Sequence, residues 1–185
     1  MNPYARIAEY LYVVPNQQYR LARTARNHNP AVITALIKYG GGLPGTVNLD
    51  LGGGPFRGTN ALLPSGGRSI IIDPYARKPH ENEDAMITLR SLAPGGVDTV
   101  TLGNVLNVIP QQVTRHDVLW QAHDALKPGG RIFIVIHEGD RSGNGNMTRD
   151  GWQANLPTSD YASMIEGIFI GVCRIGNLVL AGREP

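Results

Sequence analysis

Val47-Asn48-Leu49-Asp50-Leu51-Gly52-Gly53-Gly54-Pro55 is the stretch on which the reading of this chain turns. Its first five residues form a short, mostly apolar run of strand length. Three successive glycines follow. They let the backbone turn sharply, approach a ligand without obstruction by Cβ atoms, and enter a helix whose N–H groups face the site. Asp50, on the strand end, places a carboxylate where it can receive an ammonium group directly or through water.

Outward from this turn the same unit recurs. SIIID (69–73), DTVTL (98–102) and RIFIVI (131–136) are strand-length apolar runs, with candidate helices near 58–64, 80–92 and 111–126 between them. The last helix is marked by Val113, Leu119, Trp120, Ala122, His123 and Leu126, and Lys127, Pro128 and Gly129 supply its stop. Strands alternating with helices predict right-handed crossovers and an α/β fold: a Rossmann-like, doubly wound, mostly parallel sheet covered on both faces. IFIGVCRI and NLVLAG, meeting at Gly176-Asn177, predict a C-terminal antiparallel hairpin. Upstream, Ile7, Tyr10 and Leu11, and then Ile33, Leu36 and Ile37, have helical spacing. Residues 1–45 are therefore expected to be an N-terminal helical cap on a 46–185 core, within a single domain.

Composition narrows the classes. At 185 residues the chain suits one domain. Its 23 Gly and 13 Pro stay below the roughly 25–30% of low-complexity sequences. No apolar run approaches the roughly 18 residues that span a bilayer. The first residues lack a basic segment followed by a long apolar one, and a lone Cys173 makes neither an intrachain disulfide nor a cysteine metal cluster. A cytoplasmic protein with no membrane and no metal is expected. The net charge of +2 hides a basic start: Arg6, Arg20, Arg23, Arg26 and Lys38 stand against Glu9 alone in residues 1–45. That segment reads either as a solvated helix face or as a phosphate contact.

In an open parallel sheet, ligands bind beyond the carboxyl ends of the strands at the point where strand order reverses. All four strand ends carry polar or glycine-rich sequence: the glycine turn, Asp73-Pro74-Tyr75, Gly103-Asn104-Val105-Leu106-Asn107, and His137-Glu138-Gly139-Asp140. Asp73 lies 19 residues after Gly54, a distance that suits an acid hydrogen-bonding a ribose diol. A dinucleotide fingerprint fails, because its third glycine position is Arg57, and no Gly-Lys-Ser or Gly-Lys-Thr makes a P-loop.

These motifs together resemble the class I S-adenosylmethionine-dependent methyltransferases. VNLDLGGGP is similar to the family's glycine turn, Asp73 stands in its acidic position after the second strand, VDTVTLGNVLNVIP is similar to its fourth-strand motif, and ALKPGGRIFIV to its helix-to-fifth-strand passage. The resemblance implies S-adenosyl-L-methionine as cofactor. It implies Asp50, Gly52, Gly53, Gly54 and Pro55 around the methionine part, Asp73 on the ribose hydroxyls, and Pro74 and Tyr75 flanking the adenine. Asn104 would line the space beside the transferring methyl. Phe56 departs from the family pattern, and only 24 residues separate Asp73 from Asp98, so the family's third strand is short or missing. DPYARKPHEN, NVLNVIP and GWQANLPTSDY also resemble small stand-alone bacteriophage methyltransferases and, more loosely, methyltransferases associated with DNA phosphorothioation. That resemblance implies a nucleic-acid context.

Methyl transfer needs a base only if the acceptor must lose a proton. Glu138, with Asp140 and His137 beside it, is the candidate, and its alternative is a loop carboxylate. Asn104 and Asn107 read alternatively as turn or capping residues. Segment 138–160 reads as a long polar loop carrying Arg141, Arg149 and Trp152, the last a base-stacking group or a core anchor. Asp73-Pro74-Tyr75 follows the second strand, so the adenine-methylating Asp-Pro-Pro-Tyr mechanism does not carry over. No Pro-Cys nucleophile exists, and Cys173 reads as a small buried hydrophobe. The expected activity is methyl transfer to an acceptor the sequence does not identify, with nucleic acid favoured and a small molecule or a cofactor-binding module without transfer as alternatives.

Overall fold

A computed structural model describes residues 29–40, 43–55, 59–92, 96–148 and 151–185. The expected helix around Ile7, Tyr10 and Leu11, the arginines at 20, 23 and 26, and Phe56 and Arg149 lie outside the described residues.

Five α-helices, one short 3-10 helix (Leu106–Val108) and eight strands are described: α1 (Ala31–Lys38), β1 (Val47–Leu51), α2 (Thr59–Leu62), β2 (Arg68–Ile72), α3 (Pro79–Ser91), β3 (Val97–Gly103), α4 (Gln112–Ala125), β4 (Leu126–Val135), β5 (Asn146–Thr148), β6 (Gly151–Gln153), α5 (Thr158–Glu166), β7 (Ile170–Ile175) and β8 (Leu178–Gly182). Six strands form one sheet in the order β2-β1-β3-β4-β8-β7. The first four are parallel, while β8 runs antiparallel to both β4 and β7. The structure thus has the Rossmann-like, mostly parallel sheet and the C-terminal antiparallel hairpin expected of the sequence.

Period-two alternation sorts the strands into two unlike faces. Register aligns Leu49 with Ile70 and Val100, Val100 with Ile132, and Ile132 with Ala181. This face is apolar and packs against Met86 and Leu89 of α3, Val118, Leu119, Ala122 and Ala125 of α4, and Tyr161 and Ile165 of α5. Each fully buried aliphatic chain here contributes roughly 1.5–3 kcal/mol. The opposite face is apolar only at its β4–β8 end, where Phe133, Val135 and Leu178 receive Val32, Ile33 and Leu36 of α1. Across β2, β1 and β3 it is polar and buried. Asn48 Nδ2 donates to Ser69 Oγ and Thr101 Oγ1, both at 3.0 Å, Thr99 Oγ1 donates to Asn48 Oδ1 at 2.9 Å, and Thr101 Oγ1 donates to Asp50 Oδ1 at 2.8 Å.

Several expectations need correction. In α4 the buried stripe is Arg115, Val118, Leu119, Ala122 and Ala125, while Val113 and Trp120 face solvent. Lys127-Pro128-Gly129 does not simply follow the helix. The strand begins at Leu126, which pairs with Val97, and residues 127–130 bulge out before Arg131 pairs with Thr99. Asp98 anchors this bulge, accepting from Val47 N at 2.7 Å and Lys127 Nζ at 2.8 Å. The long polar loop after β4 contains the β5–β6 ribbon and α5. Cys173 is exposed, because β7 is the edge strand. Among the described residues no strand lies outside β2.

Candidate functional site

Strand order runs outward from β1 to β2 on one side and from β3 to β4 on the other, so the crevice lies between the turns that follow β1 and β3. Gly52 opens the first turn. Its N–H donates to Ile72 O at 2.7 Å, and its φ of +73° is in the region that glycine occupies without strain. A Cβ on Gly52 would lie 2.5 Å from Val105 Cγ2, so the two loops touch here. A Cβ on Gly53 would overlap Asp50 Oδ2 and Ile71 Cγ2. The close approach that the glycines permit is therefore partly within the protein itself: Gly52 admits the β3 loop, and Gly53 lies directly over Asp50 Oδ2, where a side chain would collide with it.

Asp50 is fully buried. One oxygen accepts from Thr101, and the other, Oδ2, has no hydrogen-bond partner. Burial pushes its carboxyl up to about 6, opposed by the Thr101 hydrogen bond and reinforced by the nearby Asp73. An orphaned buried carboxylate oxygen lacks a donor, and an ammonium group supplies one.

Asp73 ties β2 to the glycine turn. Its Oδ2 accepts from Gly54 N at 2.8 Å, and its Oδ1 accepts from Tyr75 N and Ala76 N, both at 2.9 Å. Each carboxylate oxygen offers about two acceptor directions, so Oδ2 retains one for a hydroxyl without losing a backbone bond. Arg77 Nε donates to Gly54 O at 3.2 Å and closes the arrangement from the other side. Pro55 lies at the end of the described turn, Pro74 is partly buried, and Tyr75 is exposed at the β2 edge.

Asn104 ends β3 with φ at +57°, which few non-glycine residues adopt, and its N–H donates to Val135 O at 2.8 Å. Its side chain is exposed and makes no hydrogen bond to the described residues. Asn107 differs. It is buried, Nδ2 donates to Gln153 Oε1 at 3.0 Å, and Gln153 Nε2 donates to His137 O at 2.8 Å, so it holds the β3 exit, β6 and the β4 exit together.

Glu138 stands apart from this group. Its Oε1 accepts from Thr158 N at 2.7 Å, at the start of α5, and its Oε2 accepts from Arg141 Nε at 2.6 Å. The hydrogen bonds at Thr158, followed by Arg141, hold its carboxyl below the usual glutamate range. Such a carboxylate is a weaker base than a free glutamate, and here it anchors α5 and Arg141. Asp140 is occupied with Ser142 N at 2.9 Å.

The structure thus joins Asp50, Gly52, Gly53, Gly54 and Asp73 through one set of contacts, sets Asn104 beside it through Val105, and leaves Glu138 on a separate one. Sequence reading missed Thr101 and Asn82, which bond the two acids, and Arg77, which bonds Gly54 O, because no local pattern distinguishes them. It also missed α5, for which Thr158 and the buried pair Tyr161 and Ile165 were the available signal. Trp152 is an anchor: it packs on the main core, and the buried Arg115 guanidinium lies 5.7 Å from its ring centroid and 5.6 Å from that of Tyr161. Among the described residues no cluster of His, Cys, Asp or Glu is placed to hold a metal ion, and no helix is long and apolar enough to cross a membrane.

No family model matches the chain, and no curated protein matches it. Solved structures do. The chain is similar to the 1,6-didemethyltoxoflavin-N1-methyltransferase of Burkholderia thailandensis, solved with 1,6-didemethyltoxoflavin and S-adenosylhomocysteine, at 17% identity and a TM-score of 0.61 over 85% of this chain and 80% of that one. It is similar to an S-adenosylmethionine-dependent methyltransferase of Methanosarcina mazei at 12% identity and a TM-score of 0.57 over 80% of this chain and 97% of that one. It is also similar to the 16S rRNA N2 G1207 methyltransferase of T. thermophilus, solved with AdoMet and guanosine, at 16% identity and a TM-score of 0.50 over 88% of this chain and 45% of that one. The chain has the Rossmann-like fold of the S-adenosylmethionine-dependent methyltransferases. None of these three likenesses supports the narrower bacteriophage-type resemblance.

Proposed function

We propose that this chain binds S-adenosyl-L-methionine at the β1–β3 crevice and transfers its methyl group to an acceptor. The observation that carries the reading is the fully buried Asp50, with an oxygen lacking any donor, directly beneath the glycine turn at the strand-order reversal. When bound, the cofactor supplies an electrophilic methyl on a sulfonium, which an acceptor lone pair displaces in line. Asp50 would take the cofactor's ammonium, and the free acceptor direction of Asp73 Oδ2 its ribose hydroxyl. Gly52, Gly53, Gly54 and Pro55 would form the wall of the methionine site. Pro74 and Tyr75 would border the adenine, and the unpaired amide of Asn104 would orient the acceptor. Since Glu138 is committed to Thr158 and Arg141, the acceptors that fit are those whose attacking atom needs no strong base.

Nucleic acid is the first acceptor class to test and small molecules the second. Solved structures of the same fold include proteins of both kinds by description, an rRNA methyltransferase and a toxoflavin-precursor methyltransferase. Calorimetry with S-adenosylhomocysteine tests the cofactor site. Labelled-methyl transfer into DNA, RNA, protein and small-molecule pools tests the reaction. No binding at millimolar cofactor would overturn the proposal. Binding without transfer to any pool would favour a second reading, a cofactor-binding module without activity, for which the Glu138 contacts and the lack of a strand beyond β2 among the described residues speak. A cytoplasmic location belongs to the same proposal.

A further inference from the structure

A cleft of about 630 Å³ opens at the same sheet edge but beyond β4, away from the β1–β3 crevice. Its walls are residues 136–139 and Arg141, Pro157 before α5, and Arg174, Gly176 and Asn177 of the β7–β8 hairpin. The floor is fixed. Ile136 N donates to Asn177 O at 2.9 Å, and Asn177 Nδ2 donates to Ile136 O at 3.1 Å, so hairpin and β4 exit move as one piece.

Its charged lining residues are two arginines, Arg141 and Arg174, and one carboxylate, Glu138, with His137 as the remaining titratable group. Glu138 takes its hydrogen bonds from Thr158 N and from one edge of Arg141, with Nε at 2.6 Å and Nη2 at 2.5 Å. That side-on contact leaves Nη1 of Arg141 without a partner among the described residues. The Arg174 side chain makes no ion pair or hydrogen bond with the described residues. Arg141 also sits at φ +61°, a conformation that costs a non-glycine residue roughly 1–2 kcal/mol and recurs at ligand clamps. A planar fork of donors lining one cleft with a second arginine, whose side chain pairs with no described residue, suits a tetrahedral oxyanion. The volume is several times that of such an anion and falls within the range of small-molecule sites, roughly 300–1,000 Å³.

We propose that this cleft binds a phosphate group of the acceptor between Arg141 and Arg174. The inference rests on the methyltransferase reading only for the word acceptor; the phosphate site stands on the cleft itself. The phosphate belongs either to a nucleotide-sized molecule or to a nucleic-acid strand, and the test separates these sources.

The full chain is titrated at low salt with a nucleoside 5′-monophosphate, the matching nucleoside and a short single-stranded oligonucleotide, and separately with S-adenosylhomocysteine. Arg174→Gln is compared with Arg90→Gln, which removes the same charge from α3. The expected result is that the nucleoside alone does not bind, and that Arg174→Gln weakens the monophosphate or the oligonucleotide at least tenfold while Arg90→Gln changes it less than twofold. Arg174→Glu weakens it further, and thermal melting shows both variants folded. Preferential loss of the oligonucleotide identifies a strand, and loss of the monophosphate alone a small molecule. Equal effects at Arg174 and Arg90, or no phosphate binding at millimolar concentration, overturn the proposal. Phosphate binding without S-adenosylhomocysteine binding would leave the cleft assignment standing and overturn the cofactor reading instead.

Discussion

The side-chain amide of Asn82 bonds both main-chain groups of Asp73: Asp73 N donates to Asn82 Oδ1 at 2.9 Å, and Asn82 Nδ2 donates to Asp73 O at 3.0 Å, which also accepts from Arg77 N at 3.2 Å. This is the pairing a neighbouring strand residue would provide. With no strand outside β2 among the described residues, one amide from α3 completes the backbone at the position where Asp73 must be held still. A second amide, Asn60 Oδ1, accepts from Ser69 N at 2.6 Å further down the same edge.

Asn82→Ala leaves the buried N–H of Asp73 without its partner, while Asp73 O keeps the N–H of Arg77, and one unsatisfied group of this kind costs roughly 1–3 kcal/mol. The expected loss is about 1–3 kcal/mol, read as a lower urea midpoint at unchanged m-value. Asn82→Leu fills the same space and should lose as much. Full stability in Asn82→Leu would show that the amide serves packing alone.

Asp50 ties stability to pH. Its carboxyl is raised from 3.8 to about 6 in the fold. The folded chain therefore keeps a proton that the unfolded chain releases between those values. The stability this confers is complete below about 3.8 and is lost as pH rises through about 6, on the order of 3 kcal/mol. Asp50→Asn removes the titration, so its stability relative to the parent should rise between pH 4 and pH 7 in parallel denaturations. A constant difference across that range would place the ionisation elsewhere. Affinity for S-adenosylhomocysteine should move the opposite way in the parent protein, increasing through pH 6 as Asp50 ionises.

Gly52→Ala meets two obstacles: a left-handed backbone, at about 1–2 kcal/mol, and a methyl group 2.5 Å from Val105 Cγ2. Pairing it with Val105→Ala removes the second and leaves the first. The double variant should be less destabilised than the sum of the single variants by about 1 kcal/mol or more, as overpacking terms of this kind run. Strict additivity would mean that the β1 and β3 turns do not press on one another in solution.

Asp73 and Glu138 separate the crevice from the α5 anchor. Asp73→Asn should weaken S-adenosylhomocysteine binding at least tenfold, because a neutral amide replaces the acceptor of Gly54, Tyr75 and Ala76 and any incoming hydroxyl. Glu138→Gln should leave that affinity within twofold and instead loosen the start of α5, visible as faster amide exchange near Thr158. Calorimetric titration of both variants decides the order, and the reverse order would move the cofactor site to the β4 exit.

The sequence by itself determined the alternation of strands and helices, the antiparallel hairpin and the glycine turn after VNLDL. These rest on local causes: strand-length apolar runs, helical spacing, and a backbone that only glycine follows easily at positions such as 52 and 54, where φ is +73° and +66°. It also placed Asp50 and Asp73 at strand ends, since a position along a strand follows from counting. Only the tertiary structure decided what those acids touch. The donor missing from Asp50 Oδ2, the Thr101 bond on its other oxygen, the Asn82 amide behind Asp73 and the diversion of Glu138 to Thr158 and Arg141 join residues 3 to 51 positions apart. Side-chain hydrogen bonds between elements depend on register and helix placement, which one residue's neighbours in the chain do not encode. The same reason hid the cleft at Arg174: an arginine in a predicted strand looks like any surface charge until the hairpin folds back beside the β4 exit.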